Sequence, residues 1–252
     1  MDGPAVLARF DAETRAAPPP EAGLTRQWAG GVLRGLGAYN FIGWWDLAEN
    51  AAAAAVAEQT AFFIARGEQV EWKVFSHDRP KSLEPALAAA GWTPEAPETF
   101  LVLDMDETTL DPVATPGVVV RRVTGRAGVE DYVAAGAAAF GRREDHWLQT
   151  LPPRLEDGSL SVWVAYDGDR AVAAGRTEFL AGAAFAGLYG GGTDPAWRGK
   201  GLYRALVAAR GAEARARGVR YLFVDARETS RPILQRLGFE ALATVRGWML
   251  GA

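Results

Sequence analysis

The chain contains no cysteine. Disulfides, thiol nucleophiles and thiolate metal ligands are therefore excluded together. Histidine is nearly missing as well: His77 and His146 are the only two, too few for the common zinc ligand sets, and no metal is expected. A basic excess is also lacking. Lys+Arg total 27 against 31 Asp+Glu, a formal charge of −4, which argues against nucleic-acid binding, where a basic face is needed. No apolar run approaches the roughly 20 residues that a membrane helix requires; the longest alanine-rich run, Ala51 to Ala57, is flanked by Glu49 and Glu58. Residues Met1 to Ala22 lack the basic-then-apolar pattern of a secretory signal, so a cytoplasmic location with no membrane partner is expected.

What is present is a chain of 252 residues, 49% of them apolar, long enough for one large or two small domains with real cores. The abundance of Ala, Arg and Gly points to a GC-rich bacterial genome. Nine tryptophans read as core and pocket wall rather than as a stacking platform for bases, given the acidic balance. Ser76-His77-Asp78 holds the residue types of a hydrolytic triad, but sequence neighbours point in different directions and do not assemble one.

The most informative stretch is Gly190-Gly191-Gly192-Thr193-Asp194-Pro195-Ala196-Trp197-Arg198-Gly199-Lys200-Gly201-Leu202-Tyr203-Arg204. An apolar run, Phe185 to Tyr189, leads into it. An amphipathic pattern leads out, with Leu202, Ala205, Leu206, Ala209 and Ala212 on one face and Arg204, Arg210, Arg215 and Arg217 mostly off it. The order is strand, glycine-rich turn with cations, helix. The first turn of a helix leaves peptide N–H groups unpartnered at the positive end of its dipole. Gly199 and Gly201 allow a phosphate to approach those amides, and Arg198, Lys200 and Arg204 add charge. The stretch reads as a diphosphate cradle. It is not a Walker loop, because Gly201 follows Lys200, and it lacks the third glycine of a dinucleotide fingerprint.

Pro195-x-x-Arg198-Gly199-x-Gly201-Leu202 at the start of a helix resembles the coenzyme A loop of the GNAT N-acyltransferases, usually written Gln/Arg-x-x-Gly-x-Gly/Ala. Arg198 and Gly201 match; Tyr203 stands where a small residue is usual. Tyr221 to Val224, a short helix with Leu234 and Leu237, and Leu237-Gly238-Phe239 resemble the last strand–helix–strand part of that family. The resemblance covers Gly117 to Ala252. It implies a mixed, mostly antiparallel sheet flanked by helices, an α+β layered fold. It also implies acetyl-CoA as co-substrate, held by Gly191, Gly192, Thr193, Arg198, Gly199, Lys200, Gly201, Leu202, Tyr203 and Arg204. Acetyl transfer would go directly to a primary amine of a small molecule, with a protein-modifying activity and a non-catalytic acyl-CoA-binding module as alternatives. A monomer or homodimer is expected.

The catalytic side chains depart from the family. Where a glutamate commonly enters the loop stand Leu188 and Tyr189, and at the position of the usual tyrosine acid in the last helix stands Leu234. Glu178, late in the preceding strand, is the candidate base; Tyr189 or Tyr203 is the candidate acid.

The first half echoes the second: strand Glu71 to Phe75, helix with Leu83 and Leu87, then Gly91-Trp92. This reads as a degenerate tandem copy, 1–110, before a GNAT domain, 111–252. Gly43-Trp44-Trp45-Asp46 stands where the loop would be, so no coenzyme A is expected there. Leu24 to Leu36 reads as a broken helix, Arg142 to Glu156 as irregular, and Asp104 to Pro116 as a solvated acidic linker.

Overall fold

The computed structural model describes residues 1–251. Two compact units are present, and neither is a continuous stretch of chain. The first comprises Asp2–Leu101, Asp225–Pro232 and Ala241–Ala252; the second comprises Met1, Val102–Val224 and Ile233–Glu240. They are thus not the consecutive stretches 1–110 and 111–252.

In the first unit, α1 (Gly3–Phe10) runs into a π-helical turn, Asp11–Ala16. Asp2 caps α1 by accepting from the Ala5 N–H. Then come β1 (Thr25–Ala29), β2 (Val32–Leu36) and β3 (Asn40–Trp45), which correct the helix expected over Leu24 to Leu36. Gly30 and Gly31 are not helix breakers but the two residues of a hairpin turn, with φ of 59° and 76°, the positive pair that matches strand twist. After α2 (Ala52–Arg66), β4 (Val70–Phe75) returns parallel to β3. Then follow α3 (Leu83–Ala89), the two-residue β5 (Thr93–Pro94) and β6 (Glu98–Asp104). Trp45, Val56, Phe63, Trp72, Leu83 and Leu87 form the core.

The second unit begins with β7 (Val118–Val123), α4 (Gly125–Phe140) and α5 (Trp147–Glu156). Helix α5 replaces the irregular stretch expected there; its prolines, Pro152 and Pro153, lie inside the helix. The antiparallel strands β8 (Leu160–Asp167), β9 (Arg170–Phe179) and β10 (Phe185–Thr193) follow. A 3₁₀ turn, Pro195–Trp197, leads to α6 (Leu202–Ala216), β11 (Tyr221–Ala226), α7 (Arg231–Arg236) and β12 (Glu240–Leu250). Leu202 and Leu206 of α6 pack against Val118, Ala165 and Val172 on the sheet, and Val129, Tyr132 and Val133 of α4 pack against Leu160, Val162 and Val164.

The order hairpins–helix–parallel strand–helix–strand occurs in both units, as a duplication requires. The closing strands are exchanged. β12, the last strand of the chain, runs antiparallel to β4 from Val245↔Phe75 to Leu250↔Val70 and buries Trp248 in the first unit's core. Val102–Asp104 of β6 belongs to the second unit, where β6 is the neighbour of β11.

The acidic linker is a strap rather than a solvated connection. Arg215 of α6 donates to the carbonyls of Met105 and Thr108 at 2.5 and 2.8 Å. Leu110 lies over Gly211, where a Cβ would stand 2.5 Å from the leucine Cδ1.

Candidate active site

β10 and β11 pair in parallel at Phe185↔Tyr221, Ala186↔Leu222 and Gly187↔Phe223, and then separate. Beyond Gly187, β10 keeps only β9 as a partner, from Leu188↔Thr177 to Thr193↔Ala173. The register shifts between Tyr189 and Gly192: Gly190 and Gly191 together stand opposite Gly175. That is a β-bulge, which bends the strand and adds twist. The three glycines admit neighbours that no side chain would allow. A Cβ on Gly190 would meet the Tyr132 hydroxyl, one on Gly191 the Tyr203 ring at 3.0 Å, and one on Gly192 both Ala139 and Phe140 at 2.7 Å. Gly191 thus lies against the Tyr203 ring, and Gly192 is packed by the end of α4.

The loop beyond the bulge is held by Asp194. One carboxylate oxygen accepts from the Ala196 N–H at 2.9 Å and the other from Arg170 at 2.6 Å. With Pro195 at the first helical position this is a cap-and-proline start. Gly199 and Gly201 take φ of 77° and 82°, conformations that other residues adopt only under strain. Gly201 is the N-cap of α6, and no side chain caps that helix. The peptide nitrogens of its first turn thus face outward at the positive end of a four-turn helix.

Three cations surround this turn. Arg198 donates to the carbonyls of Thr193 at 3.3 Å and Ala139 at 3.4 Å. The Lys200 ammonium lies 4.0 Å from the centre of the Trp197 ring. The Arg204 guanidinium reaches the vicinity of Gly201. An uncapped helix start, two glycines in left-handed backbone and three cations form a donor set suited to a diphosphate, so the residues present fit coenzyme A. Leu202 contributes only its peptide nitrogen, since its side chain is 2% exposed and lies in the core. Thr193 contributes a backbone carbonyl to Arg198. Tyr203 turns its ring to Gly191 rather than into the loop.

The wall beside the separating strands is built around Arg176, which sequence reasoning missed. Arg176 and Glu178 lie two apart on β9 and so share a face with their cross-strand partners Tyr189 and Gly187. The Arg176 guanidinium donates to Glu178 at 3.0 Å and to the Tyr132 hydroxyl at 2.8 Å. It stacks 4.3 Å from the Trp147 ring and 5.3 Å from Tyr189. Arg154 of α5 reaches the second Glu178 oxygen at 3.2 Å. Burial pushes the Glu178 carboxyl up, but Arg176 and then Arg154 outweigh it and hold the group below the ordinary carboxylate range. A carboxylate clasped by two guanidiniums is a weak proton acceptor, which counts against the general-base role expected for Glu178. Tyr189 packs edge-on against Phe223, ring centres 6.0 Å apart, at the mouth of the separation.

Arg210, expected off the buried face of α6, is 1% exposed. Leu234, where a tyrosine is usual, is fully buried. The alternation of Arg176 and Glu178, and the Asp194-Pro195 pair, were signals available in the sequence. The roles of Tyr132 and Trp147 were not, because only the packing of α4 and α5 brings them to β9.

Comparison with known proteins agrees with this geometry. Residues 129–246 match the family model described as "Acetyltransferase (GNAT) domain". Comparison with proteins of curated function returns no match. Among solved structures, a GCN5-related N-acetyltransferase from Kribbella flavida is 17% identical with a TM-score of 0.70, covering 98% of this chain and 93% of that one. A tandem GNAT protein from the clavulanic acid biosynthesis pathway is 15% identical with a TM-score of 0.63, covering 98% and 93%. A GCN5-related N-acetyltransferase from Sphaerobacter thermophilus is 15% identical with a TM-score of 0.65, covering 98% and 84%. At such identities the likeness establishes the fold, tandem arrangement included. Residues 129–246 thus match the GNAT acetyltransferase domain model, and the chain shares its fold with tandem GNAT proteins.

Proposed function

We propose that the protein transfers the acetyl group of acetyl-CoA directly to a primary amine of a small molecule. The observation that carries this reading is the uncapped start of α6 beside the point where β10 leaves β11. The loop amides, with Arg198, Lys200 and Arg204, bind the diphosphate. The glycine-lined edge of β10 receives the pantetheine arm, and its N–H groups polarise the thioester carbonyl.

The reaction needs the neutral amine, at pH 7 about one molecule in a few thousand for a free alkylamine. Its nitrogen attacks the thioester carbon and the carbonyl electron pair moves to oxygen. Return of that pair expels the coenzyme thiolate, so that a C–N bond replaces a C–S bond. The amine proton leaves to water, and Tyr189 donates its phenolic proton to the thiolate before recovering one from solvent. Glu178 acts as a positioning residue: it fixes Arg176, which in turn fixes the Tyr189 ring.

Calorimetry with acetyl-CoA followed by release of free thiol against a panel of amines tests the proposal. Binding with turnover on at least one amine is expected; absence of binding overturns it. The double clasp on Glu178 and the buried Leu234 favour one rival, a domain that binds acyl-CoA without catalysis. Binding without turnover across the panel would select that rival.

A further inference from the structure

Arg210 is a buried cation that neither packing nor the loop explains. It lies in the third turn of α6, 1% exposed. Among the described residues no carboxylate lies within ion-pair distance of it. Its Nε donates to the Leu206 carbonyl and its Nη1 to the Arg176 carbonyl, both at 3.1 Å. A buried charge satisfied only by carbonyls is costly, and an apolar side chain of similar volume would fill the same space at lower cost.

The chain makes room for this cation deliberately. A Cβ on Gly175 would stand 2.9 Å from the guanidinium carbon, and one on Gly191 would stand 3.5 Å from Nη2. These two glycines face each other across the β9–β10 bulge. The guanidinium thus lies in a slot floored by backbone, directly behind the strand segment that leaves β11. The groups facing it are Tyr203 on its own helix, Tyr132 of α4 and Arg176 of β9. None of them carries negative charge at neutral pH. Burial lowers the Arg210 pKa from the ordinary arginine value.

We propose that Arg210 is the fixed positive charge of the acetyl-transfer site, stabilising the negative charge that forms on the thioester oxygen and then on the departing sulfur at the other side of β10. It touches no reacting atom. It is a positioning residue that acts through the strand, by orienting the bulge peptides and by its field, which burial leaves poorly screened. This rests on the acetyl-CoA reading above.

The acidity of the coenzyme A thiol bound to the full-length protein tests it, followed by the ultraviolet absorbance of the thiolate across pH. In the unaltered protein the bound thiol is expected to be about tenfold more acidic than the free thiol, whose pKa is near 8.5. Arg210→Met should remove that difference and lower kcat about 10- to 100-fold, with the KM for acetyl-CoA changed less than about threefold. Arg210→Lys, which keeps the charge and loses one of the carbonyl bonds, should retain most of both effects. A bound thiol as weakly acidic as the free one in the unaltered protein overturns the proposal, with no variant needed should Arg210→Met fail to fold. So does Arg210→Lys behaving like Arg210→Met. Failure of coenzyme A to bind at all instead removes the underlying reading, which calorimetry reports separately.

Discussion

The two units carry the same divergence of parallel strands and line it differently. In the first, β3 and β4 pair at Asn40↔Val70, Phe41↔Glu71 and Ile42↔Trp72 and then part. In the second, β10 and β11 part after the same number of steps. Past the last pair of the second unit come glycines, a bulge and an uncapped helix. Past the last pair of the first comes Gly43, whose carbonyl accepts from the Nε of Arg15 at 3.0 Å. That guanidinium is bound to both oxygens of Asp78, at 2.9 and 2.7 Å, and to Asp11 at 2.6 Å. It lies 4.2 Å from the Phe75 ring and 5.2 Å from that of Trp44. The divergence is a property of the topology. Whether it serves a ligand depends on what the chain puts beside it, and in the first unit the chain supplies its own arm, reaching back from the π-helical turn.

The largest test of that comparison is removal of the exchanged strand. A chain ending at Phe239 loses β12, with Trp248 and Leu250 from the first unit's core. It should lose the first unit's share of the unfolding signal by circular dichroism; a signal undiminished beyond the deleted residues would mean that the first unit closes without β12. Next, Arg15→Ala leaves the partly buried Asp78 and Asp11 without their guanidinium partner. It should cost about 3–5 kcal/mol in a urea titration and leave the number of acetyl-CoA molecules bound per chain unchanged. A second binding event would show that the first divergence had only been filled, not lost. In the opposite sense, Gly201→Val places a β-branched residue at a φ of 82°. It should weaken acetyl-CoA at least about 100-fold by calorimetry, while the strain of about 1–3 kcal/mol leaves the protein folded.

Acidity gives the smallest and most local contrast. Burial pushes the Asp11 carboxyl up, but hydrogen bonds from His77 and Arg15 outweigh it, and its pKa is lowered from the ordinary 3.8. Glu178 is likewise lowered from 4.5. A carboxyl depressed by folding contributes stability above its unfolded value and loses it as pH falls through its folded one. Both units should therefore weaken below about pH 4, and Glu178→Gln should remove the second unit's share of that loss in a pH series of thermal melts.

The cradle was legible because its determinants are local. Glycine conformation, helix amides and nearby cations all lie within Arg198 to Arg204, and neighbours in sequence are neighbours in space there. The duplication was legible for the same reason, through repeated strand–helix–glycine-aromatic units. Periodicity misled where another device competed: Gly30-Gly31 punctuates a hairpin rather than a helix, and the off-face arginine at position 210 occupies a slot cut by glycines on two strands. The wall around Arg176 was illegible beyond the positions of Glu178 and Tyr189. Its members come from α4, α5, β9 and β10, and no pattern along one segment records that Trp147 and Tyr132 converge on Arg176. Even for Glu178, position was readable while chemistry was not, because its basicity depends on Arg154, 24 residues away.

The exchange of β6 and β12 sets a timetable for synthesis. Thr244 and Ser76, joined by two backbone-anchored hydrogen bonds, lie 168 positions apart. At a ribosomal pace of about 5–20 residues per second, β4 waits roughly 10–30 s for its neighbour. Through that interval its bare edge is open to the wrong strand, whether from another nascent chain or from the same one. A holdase, or slow codons between β6 and β12, would each alter the yield of soluble protein while touching no residue of the diphosphate cradle.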